Sequence, residues 1–463
     1  MNRAGVAGTA SLAGMAGMAG MAGMSRSKLL RTAMGTAGSV AALGASSACG
    51  VQAPPAAGTG SNGPPAPAKR EVTLIVSNDW TQGDRLKIVQ AWLARANQVY
   101  PHIKTELHDN ADSQEKIIAQ FAADQQGDLV QVDQHLIPVF GPKNVLEDIS
   151  PTLATLKFDL NSIFDIENIT HYKGKRHGLL IQLNSNVWVY NKNLFQEHGV
   201  AEPTDKWTWN DHLEAARKLA NPDENRWGMH VRVDLYPWYW QAGVDYLTPD
   251  GTKTLFDSGG SRQVLQWLTD IVVKYRAAPS NQENADKKPS FALGNFATII
   301  QSSPGAPLTK QIDNRFVWEV MPTPKHPSSG KPPALVVTGH NYAITKKATQ
   351  RGVLVESAQV LVELFNKEVQ QLYNNGSLAP GSLPILKSVA TAPEALKPPP
   401  SNAKVVIDQI PSGRNYDKIV GFLDMHSAIN AEFYKALDGK VSANDAAAAM
   451  QRAGDAALAN AAR

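Results

Sequence analysis

Tyr236-Pro-Trp-Tyr-Trp240 sets four aromatic side chains in five positions, and six of the ten tryptophans (188, 207, 209, 227, 238 and 240) fall between positions 188 and 240. Flat rings stack on apolar C–H faces, and Asp, Asn, Gln or His beside them pair with hydroxyls, so this composition suits recognition of a hydroxylated solute. Five consecutive residues cannot all face a core. Read as a strand, the run puts Tyr236, Trp238 and Trp240 on one side, a stacking platform, with an aromatic core as the competing reading. Trp209 opens the apolar stripe Leu213, Ala216, Leu219 of its own helix, and it reads as packing together with Trp207. Asp133 closes the apolar run Leu129-Val-Gln-Val132. Open α/β sheets hold ligands at the carboxyl ends of their strands, which makes Asp133 a candidate contact or else a cap for the next segment.

Signals for chemistry on the solute are missing from the sequence. It contains no G-x-x-x-x-G-K-[ST] phosphate loop, C-x-x-C pair, H-E-x-x-H helix or G-x-S-x-G elbow. His102 and His108, like His171 and His177, are six apart, which fits neither helical nor finger-type metal ligation, so no metal or cofactor is expected. A glycosidase needs only two carboxylates facing one bond, so a secreted glycan-acting enzyme stays an alternative.

These residues need a scaffold, and 463 residues at 43% hydrophobic can bury a large core without cross-links. Val72-Thr-Leu-Ile-Val76 reads as a strand, followed by a helix with Leu86, Val89, Leu93 and Ala96 on one face that stops at Pro101. A second helix and the Leu129 strand follow, an alternation that predicts a parallel sheet. Thr208-Trp-Asn-Asp211 fits a capping box, Pro249-Asp-Gly251 a hairpin turn, and Ser442 to Asp445 the cap of a final Ala-rich helix.

Charge and cysteine usage narrow the setting. The formal charge of +3 comes from a leader, since residues 1–48 carry Arg3, Arg26, Lys28 and Arg31 and no acid; the remaining 41 Lys and Arg face 42 Asp and Glu. Nucleic acid, which needs a basic excess, is excluded as an expected partner. From Met24 the order is basic residues, an uncharged stretch from Thr32 to Ala48, small Ser47-Ala48, then the lone Cys49. This is the order of an export signal. Gly50 to Lys69, rich in Pro, Gly and Ala with Val51 as its one large aliphatic, reads as a flexible tether. No later run is long and apolar enough to span a bilayer.

The leader resembles a bacterial lipoprotein signal, which implies a lipid on Cys49 and anchoring to the outer face of the cell membrane, or secretion if the lipid is absent. From residue 71 onward, ordered stretches resemble an extracellular solute-binding protein of an ABC importer, family 1, the maltose-binding-protein-like group. They are His171-Tyr-Lys-Gly-Lys-Arg-His-Gly178, Leu183-Asn-Ser-Asn186, Val189-Tyr-Asn-Lys-Asn-Leu-Phe195 and Thr208-Trp209, supported by Trp318-Glu-Val-Met-Pro322 and Thr338-Gly-His-Asn-Tyr-Ala-Ile344. The resemblance implies an α/β two-lobe periplasmic-binding-protein fold, type II-like, with discontinuous lobes joined by hinge strands. The chain would cross near 180–184, 320–324 and 365–371. The implied units are a leader over 1–48, a lipid-anchored linker over 49–70, one lobe from 71–181 plus 323–366, and another from 184–320 plus 370–463.

By the same resemblance the solute, a mono- or oligosaccharide, sits between the lobes and passes to ABC permease subunits, and the protein is a monomer and not an enzyme. A peptide or polyamine is the alternative solute. The resemblance places Asp79 and Trp80 on a cleft loop after the first strand. It sets Gln182, Asn184 and Asn186 on a crossing strand, and His340 and Asn341 on the loop of the return segment. Trp238 and Trp240 complete the expected solute contacts.

Overall fold

The computed structural model describes residues 70–109, 114–231, 235–302, 306–374, 383–417 and 419–461; the leader, Cys49 and the tether up to residue 69 lie outside the described residues. Twelve strands occur among them: β1 (Val72–Asn78), β2 (Ile103–Asp109), β3 (Leu129–Asp133), β4 (His171–Tyr172), β5 (Lys175–Arg176), β6 (Gly178–Leu180), β7 (Asn184–Asn191), β8 (Thr298–Ser302), β9 (Trp318–Met321), β10 (Leu335–Thr338), β11 (His340–Ile344) and β12 (Gly413–Arg414).

Strand β1 runs parallel to β2 and β3, as strand-helix alternation requires. The helix Gly83–Val99 between them buries Val89, Trp92, Leu93 and Ala96, and the Trp92 indole N–H donates to the Val360 carbonyl at 2.6 Å. The sheet is not wholly parallel, however. Its order is β2-β1-β3-β11-β6, and β11 is antiparallel to both neighbours, because it enters from the second sheet. That second sheet has the order β12-β10-β7-β8, with β9 also on β7. Each sheet carries its own core: Leu74, Trp92, Tyr342 and Leu361 in the first lobe, and Trp188, Trp209, Leu268 and Phe433 in the second.

Local signals did their expected work in the second lobe. Thr208 accepts from the Asp211 N–H while the Asp211 carboxylate accepts from Thr208, a complete capping box at the start of Trp209–Leu219. The Ser442 hydroxyl oxygen accepts the Asp445 N–H at 3.1 Å ahead of the final helix Ala443–Ala461.

One passage of the chain, residues 181–183, joins β6 of the first sheet to β7 of the second. The other two expected crossings are displaced. Strand β10 still pairs with β7, through Val337–Ser185 and Thr338–Asn184, so the chain returns at Gly339 and not near 320–324. Nor does it leave near 365–371. The Gln370 amide oxygen accepts the Ile385 N–H at 2.8 Å, and Phe164 N–H donates to the Ile385 carbonyl at 2.9 Å, holding this stretch on the first lobe. Second-lobe contacts are re-established by Ser401 and Asn402: the Ser401 hydroxyl donates to the Glu319 carboxylate, and the Asn402 side chain donates to the Val320 carbonyl at 2.7 Å.

Gly339 is where the crossing strands touch. A Cβ there would stand 2.3 Å from the Gln182 carbonyl oxygen and from Leu180 Cδ1. Gly339→Ala is expected to cost about 2 kcal/mol, read as a lower urea midpoint at unchanged slope; an unchanged midpoint would mean that the crossing yields freely.

Candidate functional site

The parallel run of β1 and β3 brings their carboxyl ends to one edge of the first sheet, and β11 starts there, with His340 opposite Asp133. Tyr342 donates its hydroxyl to Asn78 Oδ1 at 2.7 Å, and Asn78 Nδ2 donates to the Trp80 carbonyl at 2.9 Å, folding the loop back on the sheet. Burial, and then the Asp79 carboxylate, push the Tyr342 phenol well above the ordinary phenol range. Asp79 donates its N–H to Gln131 Oε1 at 3.1 Å and is 7% exposed.

Trp80 is 2% exposed, with its ring edge-on to His340 and Tyr373 at 5.9 and 6.2 Å. It packs within the first core. Asp133 Oδ1 accepts the His135 N–H at 2.9 Å, which makes Asp133 the cap of the turn that follows. Gln182 and Asn341 are buried, and Asn341 Nδ2 donates to the Ile169 carbonyl at 3.3 Å; Asn184 and Asn186 are half-buried on β7. The structure thus gathers Asp79, Trp80, Asp133, Gln182, His340 and Asn341 at one end of the first sheet, mostly covered.

The aromatic run departs from the sequence reading. Tyr236–Ala242 is an α-helix, with Pro237 in its first turn and Gly243 closing it at φ +70°. Helical geometry puts Tyr236 and Trp240 on one side and turns Trp238 away from them, so no strand-type platform forms. Trp238, 4% exposed, packs with Trp209 at 4.9 Å, Trp267 at 5.0 Å and Trp188 at 6.1 Å between ring centroids. Trp240 is 7% exposed beneath the Arg414 guanidinium, 4.8 Å above its ring.

A cleft of about 560 Å³ lies elsewhere, between the β4–β5 hairpin of the first lobe and the β12 segment of the second. Its lining includes Asp165, His171, Tyr172 and Lys173 on one side and Tyr416 and Asp417 on the other. Its volume suits a small molecule. Arg176 grips Asp165 through two bonds of 2.8 and 2.5 Å, which neutralises that carboxylate and fixes the hairpin root. Lys173 holds its ammonium 5.5 Å from the Tyr172 ring centre. Opposite, Tyr246 accepts the Asp417 N–H at 3.4 Å, and burial followed by the Asp417 charge pushes the Tyr246 phenol upward. Two tyrosines, one cation, a histidine and two carboxylates, one of them already paired with Arg176, therefore face a shared space, a set able to stack on a ring and pair its hydroxyls. No group of three or more His, Cys, Asp or Glu placed to hold a metal ion occurs among the described residues.

Residues 80–371 match the family model described as bacterial extracellular solute-binding protein. The chain belongs to that family. Among solved structures, an ABC substrate-binding protein of Listeria monocytogenes in complex with cycloalternan is 21% identical, covering 84% of this chain and 98% of its own, at a TM-score of 0.66. The cyclic alpha-maltosyl-1,6-maltose binding protein of Arthrobacter globiformis is 20% identical, covering 84% and 99%, at 0.69. UgpB of Mycobacterium tuberculosis in complex with glycerophosphocholine is 16% identical, covering 85% and 100%, at 0.67. At these identities the likeness establishes the fold. A binding protein of Brucella abortus is 34% identical over 94 residues, a stretch that spans 19% of this chain and 22% of that relative's length.

In this solute-binding protein the lobes also meet directly beside the cleft. Gln134 Oε1 accepts both the Gly339 N–H at 2.9 Å and Asn415 Nδ2–H at 2.7 Å. His135 lies nearly parallel to Tyr416 and to Phe422, each at 6.0 Å between centroids. Behind them Tyr236 and His426 share a hydrogen bond of 2.8 Å, and burial, followed by His135, holds the His426 imidazole down to about 4. No sequence signal marked Gln134, Asn415, Tyr416 or Asp417, because their partners lie far along the chain. No helix among the described residues is long and apolar enough to cross a membrane.

Proposed function

We propose that this solute-binding protein captures a carbohydrate, a mono- or oligosaccharide, between its lobes and delivers it to the permease of an ABC importer. The observation that carries this reading is the 560 Å³ cleft with Tyr172 on one lobe and Tyr416 on the other, flanked by Lys173, His171 and Asp417. Aromatic rings from two sides offer stacking to the C–H faces of sugar rings, and the polar groups meet hydroxyls. The sugar ligands named for the Listeria and Arthrobacter proteins support the same class. Capture without chemistry fits a site whose Asp165 is already committed to Arg176.

Asp79, Asp133, Gln182, Asn184 and His340 are proposed as further solute contacts. Trp80, Asn341, Trp238 and Trp240 would support the first-lobe edge and its opposite wall by packing. Tyr416→Ala is expected to weaken sugar binding about tenfold while leaving the thermal midpoint of the free protein within a few degrees, measured by calorimetric titration. Unchanged affinity would remove Tyr416 from the site. A non-sugar reading keeps one favouring observation: Asp417 beside two tyrosines would also accept a cationic head group, and glycerophosphocholine, named for UgpB, carries one.

Delivery to a permease fits display outside the membrane through a lipid on Cys49, followed by the tether. Cys49→Ser is expected to move the protein from the membrane fraction to the soluble one with sugar binding intact. Retention in the membrane fraction would argue against the anchor.

A further inference from the structure

We propose that Gln134 and His135 form a latch that draws the two lobes together before any solute arrives. The proposal rests on the capture reading and adds a source of closure energy to it. Gln134 is buried, and its single amide oxygen is satisfied from two directions: by the Gly339 N–H, on the peptide where the chain crosses between sheets, and by the Asn415 side chain, which follows β12 of the second lobe. Asn415 is buried as well. The next residue, His135, presents its ring to Tyr416 and Phe422, at interplanar angles of 16° and 9°. All three partners, Asn415, Tyr416 and Phe422, follow β12, while Gln134 and His135 follow β3, so every one of these contacts spans the two lobes.

Their placement gives the latch its leverage. Tyr416 lines the cleft and also carries the His135 stack, so the same side chain that faces the solute is set by lobe closure. The Gly339 bond stays within the hinge when the lobes part, whereas the Asn415 bond and the ring stacks must break. One neutral hydrogen bond and two ring pairs together change the closed-to-open ratio by roughly tenfold to a hundredfold. A solute that binds the closed form then meets a smaller conformational cost, and its apparent dissociation constant varies inversely with the closed fraction. Gln134 and His135 are therefore positioning residues, acting through closure and through Tyr416.

The test is small-angle X-ray scattering of the solute-free full chain, comparing the wild type with Gln134→Ala, His135→Ala and His135→Phe, each checked for native circular dichroism. The expected result is a larger radius of gyration for the two alanine variants and a wild-type value for His135→Phe, which keeps a ring against the Tyr416–Phe422 pair. Equal radii for the wild type and a folded His135→Ala would overturn the latch, as would expansion of His135→Phe to the alanine value. Should Gln134→Ala fail to fold, the His135 pair decides alone. These radii are read without solute, so they stand or fall separately from the identity of the ligand, which a sugar titration tests. Where a sugar binds the wild type, the latch predicts about tenfold weaker binding by His135→Ala.

Discussion

Trp238→Ala is expected to destabilise the protein by about 3–5 kcal/mol, because it empties the centre of an aromatic core instead of stripping a cleft wall. Trp188, Trp209 and Trp267 all touch the Trp238 ring, and the Trp209 indole N–H is itself held by Gln241 Oε1 at 2.9 Å. Gln241 in turn donates to the Ala334 carbonyl at 3.0 Å, tying the helix to the chain segment that leads into β10. A void at Trp238 would loosen all of these at once. Urea unfolding measures it: the midpoint should fall steeply for Trp238→Ala and little for Trp238→Phe, which refills part of the space. A folded alanine variant of wild-type stability that has lost only sugar binding would restore the platform reading and contradict the packing described above.

Acid should destabilise the protein through His212. This imidazole is fully buried in the second core, and burial lowers its pKa from 6.5 to about 3. Thr298 donates its one hydroxyl proton to the Gly228 carbonyl at 2.9 Å, so its oxygen must accept the His212 Nε2–H at 2.8 Å, which fixes the tautomer and leaves Nδ1 facing no donor. Protonation would put a charge and an unmatched N–H into that core. The folded pKa is below the unfolded one, and the unfolded chain therefore binds the extra proton first as pH falls. Stability is lost from about pH 6.5 downward and the loss is complete only near pH 3, on the order of 5 kcal/mol in all. His426, held down to about 4 by burial and by His135, adds loss of the same sign over part of that range. Unfolding free energies of the wild type and His212→Gln across pH 7 to 4 should converge as pH falls, since the variant lacks this titration. Parallel curves would mean that His212 is not the buried neutral group described.

The scaffold was more legible than the site. Strand-helix alternation up to Asp133, the Thr208–Asp211 box, and the Ser442 cap are local signals, each decided by a few neighbouring residues, and they appear where the sequence puts them. The Tyr236 run shows how a local reading fails. Alternating large rings suggested a strand, yet Pro237 near the start and Gly243 just past the end were the marks of a short helix. The two displaced crossings were set by long-range pairing, of β10 with β7 and of Gln370 with Ile385, which no periodicity encodes. The cleft was least legible of all. Its two sides, residues 165–174 and 411–417, lie far apart in the sequence, and its polar residues are of ordinary type in ordinary sequence. Of the fold-level expectations, the two-lobed α/β arrangement and family membership stand.

Carbohydrate capture is tested by calorimetric titration of the purified protein with a panel of mono- and oligosaccharides, together with peptides, polyamines and glycerophosphocholine, with the recovered ligand analysed afterwards. The expected result is saturable one-to-one binding of a sugar, recovered chemically unchanged, and its weakening by Tyr416→Ala. Binding confined to a peptide, polyamine or glycerophosphocholine, or recovery of a cleaved sugar, would contradict it.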